Sequence, residues 1–327
     1  MTILVTGSAG HLGEALMRTF RAEGRAARGL DIKPSPFTDM VGSIVDRGVV
    51  RDAMDGIDAV VHAATLHKPH VATHTTQDFV DTNITGTLNL LEEAVAAKVG
   101  RFVFTSTTSS FGAAMRPAPG EPAAWVTEDT VPVARNIYGV TKLGAEGLCE
   151  LFALRRGLRL IVLKTSRFFP EADDDAEIRG TYDTANAQAN ELLYRRADIA
   201  DMVSAHVAAL ARAPEIGFGR FIVSATTPFT RDDLALLHSD APAVVNRLFP
   251  RAAALYAAKG WTMFPTLDRV YVNRRAVETL GWRPRYDFAH VLDCLEKGAD
   301  FRSALAREVG AKGYHDETFT EGPYPVA

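Results

Sequence analysis

The chain has 327 residues, 47% hydrophobic and 23% charged, the balance of an ordinary globular protein and not of a disordered tail. Thirty-six basic residues against forty acidic ones leave a net charge of -4, which argues against a nucleic-acid partner. No apolar run reaches the roughly 18 to 20 residues of a membrane-spanning helix, and the start lacks a basic leader region and a cleavage site. Cys149 and Cys294 stand in helix-like apolar surroundings without CxxC spacing, so the expectation is a reduced, cytoplasmic protein with no zinc knuckle and no disulfide framework.

In chain order, Met1 to Thr6 is a short β-branched run, followed by Gly7-Ser8-Ala9-Gly10-His11-Leu12-Gly13 and then by Leu16, Met17 and Phe20 at helical spacing. The pattern predicts a strand, a tight glycine turn and a helix. Glycines there let a dinucleotide pyrophosphate approach the backbone amides and the positive end of the helix, so Gly7, Gly10, His11, Leu12 and Gly13 are candidate cofactor residues. Gly29-Leu30-Asp31-Ile32 predicts a second strand ending in a carboxylate that accepts the adenosine ribose hydroxyls. A carboxylate repels a 2'-phosphate, which favours NAD over NADP, although Arg28 and Lys33 lie nearby. Further strands are predicted at DAVVHAAT and RFVFT, separated by an amphipathic stretch from Thr82 to Ala97. Alternating strands and helices indicate an α/β fold with a doubly wound parallel sheet of Rossmann type.

The TGSAGHLG turn and the segments after it resemble the extended short-chain dehydrogenase/reductase superfamily, the NAD-dependent epimerase/dehydratase family. His62-Ala63-Ala64 is similar to the segment beneath the cofactor, NITGTLNLL to the central helix, RFVFTSTTSSFG to the strand and loop of the catalytic hydroxyl, and Tyr138-Gly139-Val140-Thr141-Lys142 to the Tyr-x-x-x-Lys signature. LKTSRFFP, ADIADMVSAH and LGWRP extend the resemblance over nearly the whole chain. It implies NAD as cofactor, with Ser43, Ile44, Ala63, Ala64, Thr65, His67, Asn83, Thr105, Tyr138, Lys142 and Phe168 joining the glycine loop and Asp31 around it. It also implies Tyr138 as acid and base, Lys142 lowering the phenol pKa, and Asn83 bracing that lysine through water. Aligning the loop on Phe104 and Gly112 puts Thr107 at the substrate-orienting hydroxyl, with Ser106 as the alternative.

Departures from the family narrow the chemistry. Dehydratases carry an acidic pair after the loop threonine, where this chain has Thr108 and Ser109, so elimination of water is not expected. Arg167-Phe168-Phe169 precedes Pro170 where nucleotide-sugar epimerases usually have Asn, and the acidic EADDDAEIRG suits a diphosphate only if Arg167, Arg179, Arg195 and Arg196 outweigh it. Thr107, Thr108 and Arg167 are therefore candidate contacts to a smaller, sugar-like alcohol or carbonyl compound, with a non-sugar ketone or aldehyde reductase as the alternative. A non-catalytic dinucleotide sensor is remote, since such relatives lack the tyrosine and lysine.

Among the remaining features, His67, His70 and His74 at i, i+3 and i+7 suggest a helical face, but Pro69 argues for a loop over the site mouth and against a metal. The resemblance implies a pyrophosphate contact for His67 or Lys68, near the position where the family has a lysine. The proline-rich stretch from Gly112 to Asn136 reads as an ordered flap, and Asp198 and Asp201 as a helix start. The closing GAKGYHDETFTEGPYPVA reads as a wrapping tail. A dinucleotide-binding domain is expected over 1–165 plus about 199–225, a substrate lobe over about 170–195 plus 226–327, and a homodimer through the helices at Asn83 to Ala97 and Tyr138 to Leu154.

Overall fold

The computed structural model describes residues 1–313 together with 315, 319, 322 and 324. Its strands are β1 (Ile3–Thr6), β2 (Ala27–Asp31), β3 (Met40–Val41), β4 (Ala59–His62), β5 (Arg101–Thr107), β6 (Ala124–Val126), β7 (Leu160–Thr165), β8 (Phe218–Val223) and β9 (Arg269–Tyr271). Seven of them form one sheet in the order β3-β2-β1-β4-β5-β7-β8, and every pairing in it is parallel. The strand order reverses between β1 and β4, so their carboxyl ends diverge and leave the crevice in which such sheets hold a ligand.

The sheet is covered on both faces, and β1 and β7 are buried along their whole length as continuous Ile, Leu and Val runs require. In chain order the helices up to β8 are α1 (His11–Ala22), α2 (Arg47–Ala53), α3 (Thr76–Val80), α4 (Gly86–Ala96), α5 (Ile137–Arg156), α6 (Ala176–Thr181), α7 (Thr184–Glu191) and α8 (Ile199–Ile216). Ile3 and Val5 pack with Leu16, Met17 and Phe20 of α1 and Met202 and Ala209 of α8, whereas Leu4 between them packs with Leu90 of α4 and Cys149 and Phe152 of α5. The period-two alternation of a strand thus assigns each β1 side chain to one layer.

The stretch Thr82 to Ala97, expected as one amphipathic helix, is interrupted. Residues Asp81–Thr85 form a π-turn between α3 and α4. The wider turn coincides with Asn83, which is buried and spends its amide on Leu66 and Thr141. Past the sheet, β6 and β9 pair in parallel with Trp125 opposite Val270, so the proline-rich stretch contributes a strand to a second, two-stranded sheet. A separate core gathers Leu192, Leu193, Val244, Tyr256, Phe264, Phe288 and Leu292 around this side of the molecule. Asp198 caps α8, and Asp201 in its first turn accepts the backbone N–H groups of Arg285 and Tyr286, which ties the later chain to the sheet layer. Among the described residues no helix is long and apolar enough to cross a membrane.

Candidate active site

A cleft of about 380 Å³ opens at the carboxyl ends of the strands. At one end it is lined by Asp31, Ile32, Ser43 and Ile44; the glycine loop, Ala63, Ala64, Thr65 and His67 form its middle; Thr105, Tyr138, Lys142, Thr165 and Phe168 close the other end. Glycine is demanded here by packing within the protein itself. Gly7 has φ of +76°, and a Cβ on it would lie 2.7 Å from the backbone nitrogen of Ala64. A Cβ on Gly13 would lie 1.9 Å from the Gly7 carbonyl oxygen, inside any permissible contact. Gly13→Ala is therefore expected to destabilise the fold by about 1–3 kcal/mol or to displace the turn and lose dinucleotide binding. Thermal melting and an NAD titration check this; a variant that melts and binds like the parent would contradict it.

Asp31 braces this turn. Its Oδ2 accepts the Ala9 N–H at 2.9 Å and its Oδ1 accepts the Lys33 N–H at 2.9 Å, so the carboxylate is held in place at the cleft wall. His62 below the cleft bonds Thr6 and Thr87 through its two nitrogens, and burial holds it well below its ordinary pKa, hence neutral. His67 is likewise kept neutral, by burial first and then by the neighbouring His70, and it stacks on Phe169 at 5.6 Å. A neutral imidazole brings no charge to a pyrophosphate, and the Lys68 ammonium is paired with Asp174. The three histidines do not share a helix: a 3-10 turn at Lys68–His70 brings the His67 and His70 rings to 4.7 Å and His70 and His74 to 5.1 Å. Among the described residues no group of three His, Cys, Asp or Glu side chains has the geometry to hold a metal.

At the far end Tyr138, on the first turn of α5, shares a hydrogen bond with Thr107, whose Oγ1 also accepts the Ser109 N–H at 3.0 Å. The expected lowering of the phenol pKa is not produced by the protein groups. Burial pushes Tyr138 up to about 12, and the bond from Thr107 only partly opposes it. Lys142, one turn along, is buried and pulled down to about 7 by desolvation, with Glu146 opposing. Its Nζ donates to the Thr105 carbonyl at 2.7 Å and lies 4.1 Å from the centre of the Phe104 ring. Asn83 holds the Thr65–Leu66 segment and Thr141 from a buried position.

Ser106 does not compete with Thr107. Its hydroxyl points the other way, donating at 2.5 Å to Glu146, which also receives Lys164 Nζ at 2.7 Å. Lys164 in turn donates to Ser110, and Ser110 to the Thr107 carbonyl. Sequence reasoning missed this network, whose only sequence signal is a glutamate one turn after Lys142. The substrate-side assignments also shift. Thr108 is buried with its hydroxyl on the Thr165 carbonyl, and Arg167 is enclosed by Asp173 at 2.9 Å, Asp174 at 3.3 Å and Glu191 at 3.9 Å. Arg195 and Arg196 face Glu191 at 2.8 and 2.6 Å, and Arg179 donates to the Asp173 carbonyl. Arg167, Arg195 and Arg196 are thus already paired with Asp173 and Asp174 of the acidic stretch and with Glu191 of α7.

The NAD dependent epimerase/dehydratase family profile matches residues 3–218, the span holding the glycine loop, Thr107, Tyr138 and Lys142. The chain belongs to this family. NAD is accordingly its cofactor, and the cleft fits it: a carboxylate at the ribose end, a side-chain-free cradle at the start of α1, and a hydroxyl, phenol and ammonium at the opposite end. Among curated relatives of the family, the chain is 34% identical over 169 residues to the uncharacterised protein y4nG of Sinorhizobium fredii, covering 50% of this chain and 40% of that one. It is 30% identical over 170 residues to an L-arabinose 1-dehydrogenase (NAD(P)(+)) of Haloferax volcanii, covering 50% and 65% respectively. The chain thus matches less than two thirds of the length of these relatives. Among solved structures, a short-chain dehydrogenase/reductase superfamily protein from Agrobacterium tumefaciens, determined with bound NAD, superposes with a TM-score of 0.65 at 24% identity, covering 94% of this chain and 99% of that one.

Proposed function

We propose that the chain is an NAD-dependent oxidoreductase or epimerase acting at a secondary alcohol or carbonyl of a sugar-like substrate, with Tyr138 as acid and base. The observation that carries this reading is that Tyr138 and Lys142 line the same end of the cleft, with the Thr107 hydroxyl set beside the phenol. In the oxidative direction Thr107 orients the substrate hydroxyl, and Tyr138 Oη takes its proton. NAD, when bound, would supply the hydride acceptor for that carbon. Lys142, one turn away, is the amine that stabilises the phenolate when it carries its proton, and the buried surroundings exclude water from it. In reverse, Tyr138 returns the proton to the carbonyl oxygen. A dehydrogenase releases the keto product, whereas an epimerase retains it and takes the hydride back on its other face.

The paired arginines favour a smaller substrate over a nucleotide diphosphate sugar, because a diphosphate would have to displace carboxylates already paired with Arg167, Arg195 and Arg196. The dehydrogenase from Haloferax, named for a free pentose, supports the same direction. The test is to mix the NAD-loaded protein with free aldoses, sugar acids and nucleotide sugars and follow reduced nicotinamide by absorbance. Turnover of nucleotide sugars alone would overturn the substrate class. The proposed homodimer is supported by the exposure of Val140, Leu151 and Leu154 on α5, at 52%, 51% and 68%. Sedimentation at micromolar concentration is expected to give a dimer, and a monomer there would remove it.

A further inference from the structure

The last described residues return to the mouth of the cofactor cleft. The helix Ala304–Val309 packs on α1 and α8, and Gly310, at φ of +62°, turns the chain out of it. Lys312 and Gly313 then donate their backbone N–H groups to Glu171 Oε1 at 3.0 and 3.1 Å. The same carboxylate takes His11 Nε2 at 2.7 Å, and His11 is the first residue of α1. The Lys312 ammonium pairs with Glu14 in the first turn of that helix. Three residues on, His315 donates to the Pro69 carbonyl at 3.0 Å and sets its ring against His70 at 5.2 Å. Lys312, Gly313 and His315 all line the cleft that Gly10 and Gly13 line from the other side.

We propose that Lys312, Gly313 and His315 form a strap across the dinucleotide site, joining the glycine loop to the His67–His74 loop, so that bound cofactor leaves only when the strap lifts. Charge supports the geometry. Glu14 and Glu171 are 8% and 7% exposed at the helix end where the pyrophosphate of a dinucleotide sits, and both stay ionised, each below its ordinary pKa. Two carboxylates there would repel the pyrophosphate, and of the two Arg18 pairs only with Glu14, at 2.7 Å. Lys312 adds a second cation to Glu14, and the Lys312 and Gly313 N–H groups sit on Glu171, so the strap both covers the site and reduces the charge that would expel its ligand. Tyr324 is buried and bonded to the Asp174 carboxylate beside Arg167. The strap rests on this cleft holding NAD and is independent of the substrate.

The test uses the full chain loaded with NADH, chased with excess NAD while the fluorescence of bound NADH is followed in a stopped-flow instrument. A chain ending at Ala311 is expected to release NADH about tenfold faster or more, and Lys312→Ala several-fold faster. Added salt should speed release from the parent protein and leave Lys312→Ala nearly unaffected, since the ion pair it screens is gone. Glu14→Gln combined with Lys312→Ala should recover part of the loss. Release at the parent rate from Lys312→Ala, with unchanged melting, overturns the strap, and this holds even if the shortened chain fails to fold. Failure of the parent protein itself to bind NADH overturns the dinucleotide site and the strap with it.

Discussion

Tyr138→Phe is expected to lower turnover by about 10²–10⁴-fold, the range over which a positioned acid-base group contributes, while leaving the affinity for NAD within about threefold. Only the phenolic oxygen is lost, and the ring keeps its buried place on α5, so melting should change little. The pH dependence follows from the same group. Oxidation needs the phenolate, and burial pushes Tyr138 up to about 12, so the oxidative rate rises with pH and falls away on the acid side. Reduction needs the protonated phenol and has the opposite slope. Lys142→Met removes the amine proposed to stabilise the phenolate when protonated, so its rising limb is expected at higher pH than the parent's. Steady-state rates in both directions across pH check these signs; a Tyr138→Phe protein with parental turnover would remove the tyrosine from the chemistry.

The second large effect concerns stability. Lys164 and Glu146 are a buried ion pair at 2.7 Å, each almost wholly out of water, beneath the loop that carries Thr107. Burial alone would pull the Lys164 ammonium down, and Glu146 opposes it. Glu146→Ala leaves that amine buried without its carboxylate, and Lys164→Ala leaves the carboxylate without its amine; each is expected to cost about 3–5 kcal/mol. Replacing both by apolar residues of similar volume should cost much less than the sum, because no lone charge remains. Denaturant unfolding of the two single variants and the double variant measures the cycle. Since Ser106 and Ser110 hang from the same pair and Ser110 holds the Thr107 carbonyl, the single variants should also lose turnover in excess of any change in NAD affinity.

What the chain disclosed in advance was the part whose physics is local. The strand, glycine turn and helix of residues 3–22 need only neighbours in sequence, and Gly7 and Gly13 have the close backbone approaches that exclude a side chain. Tyr138 and Lys142 share one helix, and Thr107 lies one β-strand away, so their convergence follows from the parallel sheet. The groups that sequence reasoning missed act across long separations. Lys312 meets Glu14 nearly three hundred residues earlier, and Ser106 turns away from Tyr138 because Glu146 claims its hydroxyl. The phenol's pKa was misjudged for a related reason: a neighbouring lysine is visible in sequence, whereas the burial that opposes its effect is a property of the whole fold. Arg167 reads as a substrate contact until Asp173 and Asp174 fold back on it.

The central claim is an NAD site in this cleft, and the most direct test is to purify the protein without added nucleotide, denature it, identify any released dinucleotide by mass spectrometry, and titrate the emptied protein with NAD and NADP. Retained NAD in near-stoichiometric amount is expected behind the strap, with tighter binding of NAD than of NADP because the Asp31 carboxylate stands at the ribose end. A protein that carries no dinucleotide and binds neither, or one that prefers NADP, would contradict this.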